Sequence, residues 1–229
     1  MQAYPLFLDL RGRLILVFGA GRVGRRKVAS LVPCEPAEIL VVDTCEKAGH
    51  ALPAAAPVRF VCRQLCEADL EGRSLVFAAS GDREANARLA TLCRARGIFC
   101  NIADAPEAGD FLVPAHFASG PLLAAFSTSG LSPAVARRMK EAAREMLERE
   151  FGALTRFMGV LRPYVLALDL GSDAHAEIFR AVADSDLGEL LKKGSGGDEQ
   201  AAFQARELLR SLLPATLHDR IGEMAHDFF

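Results

Sequence analysis

The chain has 229 residues, with 27 Lys and Arg against 29 Asp and Glu, a formal charge of −2, 51% hydrophobic residues, 19 Gly, 11 Pro and no Trp. These values exclude a disordered, fibrous or collagen-like chain, and the near-balanced charge argues against a general nucleic-acid binder. No apolar run approaches the roughly 18–20 residues of a membrane helix, and the length suits one large domain plus a smaller one.

Residues 1–10 (MQAYPLFLDL) lack the positive start, long apolar stretch and cleavage site of a secretory signal, which predicts a cytoplasmic protein. Residues 14–18 (LILVF) and 39–42 (ILVV) are aliphatic runs without polar alternation, the pattern of parallel strands covered by helices on both faces. Between them Val23, Val28, Leu31 and Val32 recur at helical spacing, completing a β-α-β unit. Residues 58–62 and 75–79 read as further strands, 82–96 as a helix with a polar cap, and 98–100 as another strand. The expected fold of residues 1–113 is therefore a Rossmann-type, doubly wound α/β sheet.

Beyond it, residues 111–113 and 122–126 read as strands, the second preceded by a Gly120-Pro121 turn. Ser132-Pro133 supplies an N-cap and a proline at the first helical position, predicting a helix over 134–150. From 151 to 229 the pattern is helical throughout, with interruptions expected at Pro163, Gly171, residues 193–198 and Pro214. This predicts a small β/α segment at 114–150 and an all-helical C-terminal domain. The six cysteines form no C-x-x-C pair and are expected to be buried and reduced, with the C-x-x-x-C spacing of Cys62 and Cys66 as the one metal or redox alternative. The five histidines are not clustered, so no metal site is expected.

Three stretches carry chemistry. Residues 19–24 (GAGRVG) form a complete G-x-G-x-x-G between a strand and a helix. Gly19 would permit the tight turn, Gly21 the approach of a pyrophosphate, and Gly24 close helix packing, while the helix start at Arg22 and Val23 offers free N–H groups to the phosphates. Asp43, at the end of the second strand, stands where a ribose 2′-hydroxyl would lie and points to NAD rather than NADP. Arg22, Arg25, Arg26 and Lys27 offset that preference in part. The second stretch, residues 100–106 (CNIADAP), follows the fifth strand, where ligands of open α/β sheets bind, so Asp104 is expected to face the cleft as a proton acceptor or, alternatively, to cap an Asx turn. The third, residues 126–133 (FSTSGLSP), sets Ser127, Thr128 and Ser132 before a helix carrying Arg137, Arg138 and Lys140. That combination suits an anion, although an ordinary cap followed by a solvated basic face has the same composition.

Residues 4–10, the glycine turn with Arg26-Lys27, residues 98–106, 111–114 and 127–133 occur in the order and spacing found in the siroheme-synthase N-terminal module, the precorrin-2 dehydrogenase/sirohydrochlorin ferrochelatase family, and the chain resembles that family over residues 1 to about 150. The resemblance implies an NAD-dependent oxidation of precorrin-2 to sirohydrochlorin, in some members followed by iron insertion, in a homodimer formed through residues 114–150. It implies that Asp104 transfers the proton. Precorrin-2 bears eight carboxylates, which Arg137, Arg138 and Lys140 would attract without a basic protein overall. Ser119 stands where the family commonly has Arg, and Ser129 where glycine is frequent. The expectation from length is that no methyltransferase domain accompanies the module. Two other functions fit the same fold: an NAD-sensing regulatory binding module, which the acidic middle of the tail disfavours for DNA, and an NAD-dependent dehydrogenase of another small anion.

Overall fold

The computed structural model describes residues 3–228; Met1 and Gln2, part of the amino-terminal reading above, and Phe229 lie outside the described residues. The chain divides into two compact units, residues 1–113 and 114–229.

The first unit runs β1 (Leu14–Phe18), α1 (Arg22–Leu31), β2 (Glu38–Asp43), a single turn α2 (Glu46–Gly49), β3 (Val58–Cys62), β4 (Arg73–Ala78), α3 (Arg83–Ala95) and β5 (Phe99–Ile102). All five strands are parallel, in the order β3-β2-β1-β4-β5. Alternate side chains of a strand point to opposite faces, so the unbroken aliphatic runs feed two cores at once. Ile15, Val17, Ile39, Val41 and Phe77 pack beneath Val28 and Leu31 of α1. Leu16, Leu40, Val42, Val76 and Ala78 pack beneath Leu89, Ala90 and Cys93 of α3. Phe18 is level with Val42 on one side and with Ala78 on the other. That register brings the loops after β1, β2 and β4 together at one edge, where the strand order reverses between β1 and β4.

Residues 111–113, expected as a strand, are not one. Asn101 Nδ2 donates to the Phe111 carbonyl at 2.9 Å, Phe111 meets Phe77 edge to face at 5.5 Å, and Pro114 restricts the residue before it, so the run is held by side chains rather than by a ladder. The hairpin instead pairs β6 (Ala115–Ser119) with β7 (Leu122–Phe126), and Gly120 at φ +54° makes the tight turn between them.

In the second unit α4 (Pro133–Leu166) continues unbroken past residue 150, because Phe157, Leu161 and Val165, four residues apart, are completely buried. Pro163, expected as a break, lies inside this helix close to its end, where losing one N–H donor costs little of the ladder. The chain then forms α5 (Ser172–Ala183), α6 (Leu187–Gly194), α7 (Glu199–Leu212) and the short α8 (Ile221–Met224). Leu187, Leu191, Ala205 and Leu209 repeat the four-residue spacing and close one apolar core with α4, to which Phe228 adds an edge-to-face contact with Phe157 at 5.6 Å. Among the described residues no helix is long and apolar enough to cross a membrane.

The cysteines divide differently from expectation. Cys93 and Cys100 are buried, whereas Cys34, Cys45, Cys62 and Cys66 are exposed, since these four sit on loops, strand ends and an edge strand rather than between the sheet and its helices. Cys66 Sγ hydrogen-bonds Asp69, and Cys62 Sγ the Thr44 carbonyl.

Candidate functional site

The glycines of residues 19–24 have three separate jobs. Gly19 has φ +98°, and a Cβ there would stand 2.5 Å from the Ala79 carbonyl oxygen, so β1 can lie beside the end of β4 only with glycine at this point. A Cβ on Gly24 would collide with the Gly19 carbonyl, which makes Gly24 the residue that lets α1 start so close to the turn. A Cβ on Gly21 would meet nothing within 4 Å. Its missing side chain serves no internal packing and leaves the backbone open from outside. Gly21 is also the N-cap of α1 without any side-chain hydrogen bond, so the first N–H groups of the helix, at Arg22, Val23 and Gly24, remain available to an anion.

Asp43 closes the other side. Its Oδ2 accepts from the Ala20 N–H at 2.6 Å and its Oδ1 from the Cys45 N–H at 2.8 Å. Each carboxylate oxygen retains a second lone pair for a hydroxyl. Gly19, Gly21 and Asp43 line one cleft of about 730 Å³, together with Gln64, Cys66, Ser80, Asp82 and Arg88. Its size, its place at the reversal of strand order and the open Gly21 fit a dinucleotide.

Asp104 does not line that cleft. It borders a second one, about 380 Å³, on the adjacent side of α3, with Arg83, Thr91, Arg94 and Glu107. Its Oδ1 accepts from Asn86 Nδ2 at 3.2 Å, and Oδ2 lies 3.5 Å from the exposed Arg83 guanidinium. The sequence alone did not single out Asn86. It is completely buried, and an asparagine four residues into an amphipathic helix reads as solvent-facing until the loop it clamps is known.

In the second unit Ser132 caps α4, its Oγ accepting from the Val135 N–H at 3.3 Å. Thr128 Oγ1 donates to the Ser132 carbonyl and accepts from the Ser132 N–H, both at 3.0 Å, and Ser127 Oγ accepts from the Ser129 N–H at 3.1 Å. Arg137 pairs with Glu141 at 2.8 Å. Arg138 is exposed and Lys140 half-buried. The helical repeat turns Arg138 about 100° from Arg137, so the three cations do not share one face.

Lys27, which follows the glycine turn on α1, has its ammonium 5.4 Å from the centre of the Phe77 ring. Burial, with the neighbouring Arg26 adding repulsion, pushes it down to about 8.

Comparison with known proteins agrees with this geometry. Residues 6–115 match the NAD_binding_7 family model, described as "Putative NAD(P)-binding". The siroheme synthase of Methylococcus capsulatus is 30% identical over 87% of this chain, which spans 42% of that protein. The siroheme synthase of Thioalkalivibrio sulfidiphilus is 31% identical over 96% of this chain, spanning 44% of that protein. The chain is thus similar to siroheme synthases over most of its own length. It spans less than half the length of these curated relatives. A solved structure, "SirC, precorrin-2 dehydrogenase", shares the fold with a TM-score of 0.65 and 22% identity, covering 92% of this chain and 98% of its own.

Ser129 adopts φ +53°, the left-handed region that favours glycine, in keeping with the glycine that the resemblance leads one to expect there. Ser119 stands near Glu148 of α4, whose carboxyl is held below its ordinary range first by Arg144 and then by the serine.

Proposed function

We propose that this chain binds NAD in the cleft at the glycine turn and oxidises precorrin-2 to sirohydrochlorin. The observation that carries the reading is the open backbone at Gly21 and the uncapped start of α1, at a cleft that the Asp43 carboxylate also lines. Similarity to siroheme synthases along most of the chain supports the same substrate, since the names of the relatives place them in tetrapyrrole chemistry.

Gly19, Gly21, Gly24 and the N–H groups of Arg22 and Val23 would hold the pyrophosphate, and Asp43 the adenosine ribose, which favours NAD over NADP. NAD, when bound, supplies a hydride acceptor. The chain's own part is to place the substrate and take up the proton released with the hydride. Asp104 is the base for that proton, worth roughly 10²–10⁴ in rate when well positioned. Arg83 and Arg94 at the same cleft offer two cationic contacts to a polycarboxylate, beside the carboxylates of Asp104 and Glu107. Ser127, Thr128, Ser132, Arg137, Arg138 and Lys140 are proposed as further contacts for substrate carboxylates.

We propose in addition that the chain is a homodimer through residues 114–150. Val135, Met139 and Met146 are exposed large apolar residues spaced along one side of α4, with exposed Leu131 just before the helix, where a second copy would cover them. Four exposed free thiols suit a reducing compartment, consistent with a cytoplasmic enzyme.

The test is anaerobic incubation of the purified chain with enzymatically made precorrin-2 and NAD, following NADH and sirohydrochlorin by absorbance. NADH formation above a no-enzyme control is expected, and none would overturn the reading. Asp104→Asn should slow turnover at least about 100-fold while leaving NAD affinity near wild type. The dimer is checked by light scattering, where a monomer at micromolar concentration would exclude it.

A further inference from the structure

Asn86 uses every hydrogen-bonding capacity of its side chain while completely buried. Its Oδ1 accepts from the Ser80 N–H at 3.2 Å and from the Ser80 hydroxyl at 2.8 Å. Its Nδ2 donates to the Ser80 carbonyl at 3.1 Å and to Asp104 Oδ1 at 3.2 Å. Ser80 lines the cleft of the glycine turn, and Asp104 lines the second cleft. One carboxamide in the first turn of α3 therefore ties the loop that borders one cleft to the carboxylate of the other.

We propose that Asn86 is a positioning residue that fixes Asp104 with Oδ2 as the proton-accepting oxygen and couples its placement to the cofactor loop. This rests on the reading of Asp104 as the base. The N–H from Asn86 engages Oδ1, while among the described residues Oδ2 accepts no hydrogen bond and has only the Arg83 guanidinium nearby, which makes Oδ2 the oxygen freer to take the proton. Arg83 stands near Oδ2 at 3.5 Å but is itself 86% exposed, free to swing toward a substrate carboxylate and leave Oδ2 to the proton. The other charged groups bordering this cleft are Arg94 of α3 and Glu107 of the following turn. A carboxylate held from one side only would sample several rotamers, and an error of about 1 Å in a catalytic group can cost about 100-fold in rate. A buried amide whose four bonds are all made leaves it one.

In Asn86→Asp one oxygen still accepts from Ser80, while the other takes the place of Nδ2, removing the donor toward both Asp104 and the Ser80 carbonyl and adding a second negative charge. The expected result is NAD affinity weakened less than kcat, kcat reduced roughly 10- to 100-fold, and an acid limb of the kcat–pH profile moved up by about one unit or more. Asn86→Ala, which removes the donor without adding charge and also releases Ser80, should lower kcat, weaken NAD and move the limb upward by less. It carries the test if the first variant does not fold, as judged by circular dichroism and thermal unfolding. Unchanged kcat, or a loss of kcat with the acid limb unmoved in the folded variant, would overturn the proposal. Full activity of Asp104→Asn would remove the base and the proposal together, whereas an inactive Asp104→Asn beside an unmoved limb in the Asn86 variants overturns the positioning role alone.

Discussion

Oδ2 of Asp43 accepts a 2.6 Å hydrogen bond from the N–H of Ala20, across the ends of β2 and β1. The residue read from its position as a ribose ligand is therefore also a clamp on the glycine turn itself. Asp43→Ala removes both functions. NAD affinity should fall at least about tenfold, the cost of one lost hydrogen bond to a charged acceptor, with a smaller loss for NADP. Titration of each cofactor by fluorescence measures this, and equal losses would take Asp43 off the ribose.

The three glycines should separate in the laboratory as they do in space. Gly21 has φ −67°, which alanine adopts freely, and its Cβ would face open space. Gly21→Ala should keep the melting temperature and weaken NAD by more than about tenfold, because the methyl group would occupy the approach of the pyrophosphate. Gly19→Ala places a Cβ against the backbone of β4 at positive φ and should cost at least about 2 kcal/mol of stability. Denaturant unfolding and NAD titration of both variants would reverse the assignment if Gly21→Ala proved the less stable.

Lys27 gives the unit a pH dependence of definite sign. Its amine is held at about 8 in the fold, below its ordinary 10.5, so in that window the unfolded chain binds a proton that the folded chain has released. Stability must then rise with pH from about 8 to 10.5, and below 8 the poorly solvated ammonium weakens the fold. Lys27→Met should be more stable than wild type at pH 7, with the difference shrinking as pH increases through that window. Unfolding curves that stay a constant distance apart would refute it.

Ser129 is strained by a positive φ that glycine adopts freely. Ser129→Gly keeps the N–H that donates to Ser127 Oγ and relieves the positive φ, although glycine adds freedom to the unfolded chain. The net expectation is a gain of about 0.5–1 kcal/mol, read as an increase in melting temperature. A loss would mean that the serine hydroxyl holds the loop.

Local chemistry made much of this protein legible before any coordinates. The runs at residues 14–18 and 39–42 have to be buried on both sides, and a G-x-G-x-x-G between a strand and a helix has one widely used geometry, so the parallel sheet, the turn and the place of Asp43 follow from residue type and spacing. Ser132-Pro133 announced the start of α4 for the same reason.

Where α4 ends was not legible, because Phe157, Leu161 and Val165 carry it onward by packing in the core that α4 forms with α5, α6 and α8. Residues 111–113 have strand composition, yet whether they join a ladder depends on a partner edge, and Phe77 and Asn101 capture them first. Nor could spacing reveal that Asp104 and the glycine turn border different clefts joined by Asn86. Hydrogen bonds between residues brought together by α3 and the sheet are long-range facts. Sequence by itself determined which segments bury and which turn. Tertiary structure alone decided which partners the buried polar side chains meet.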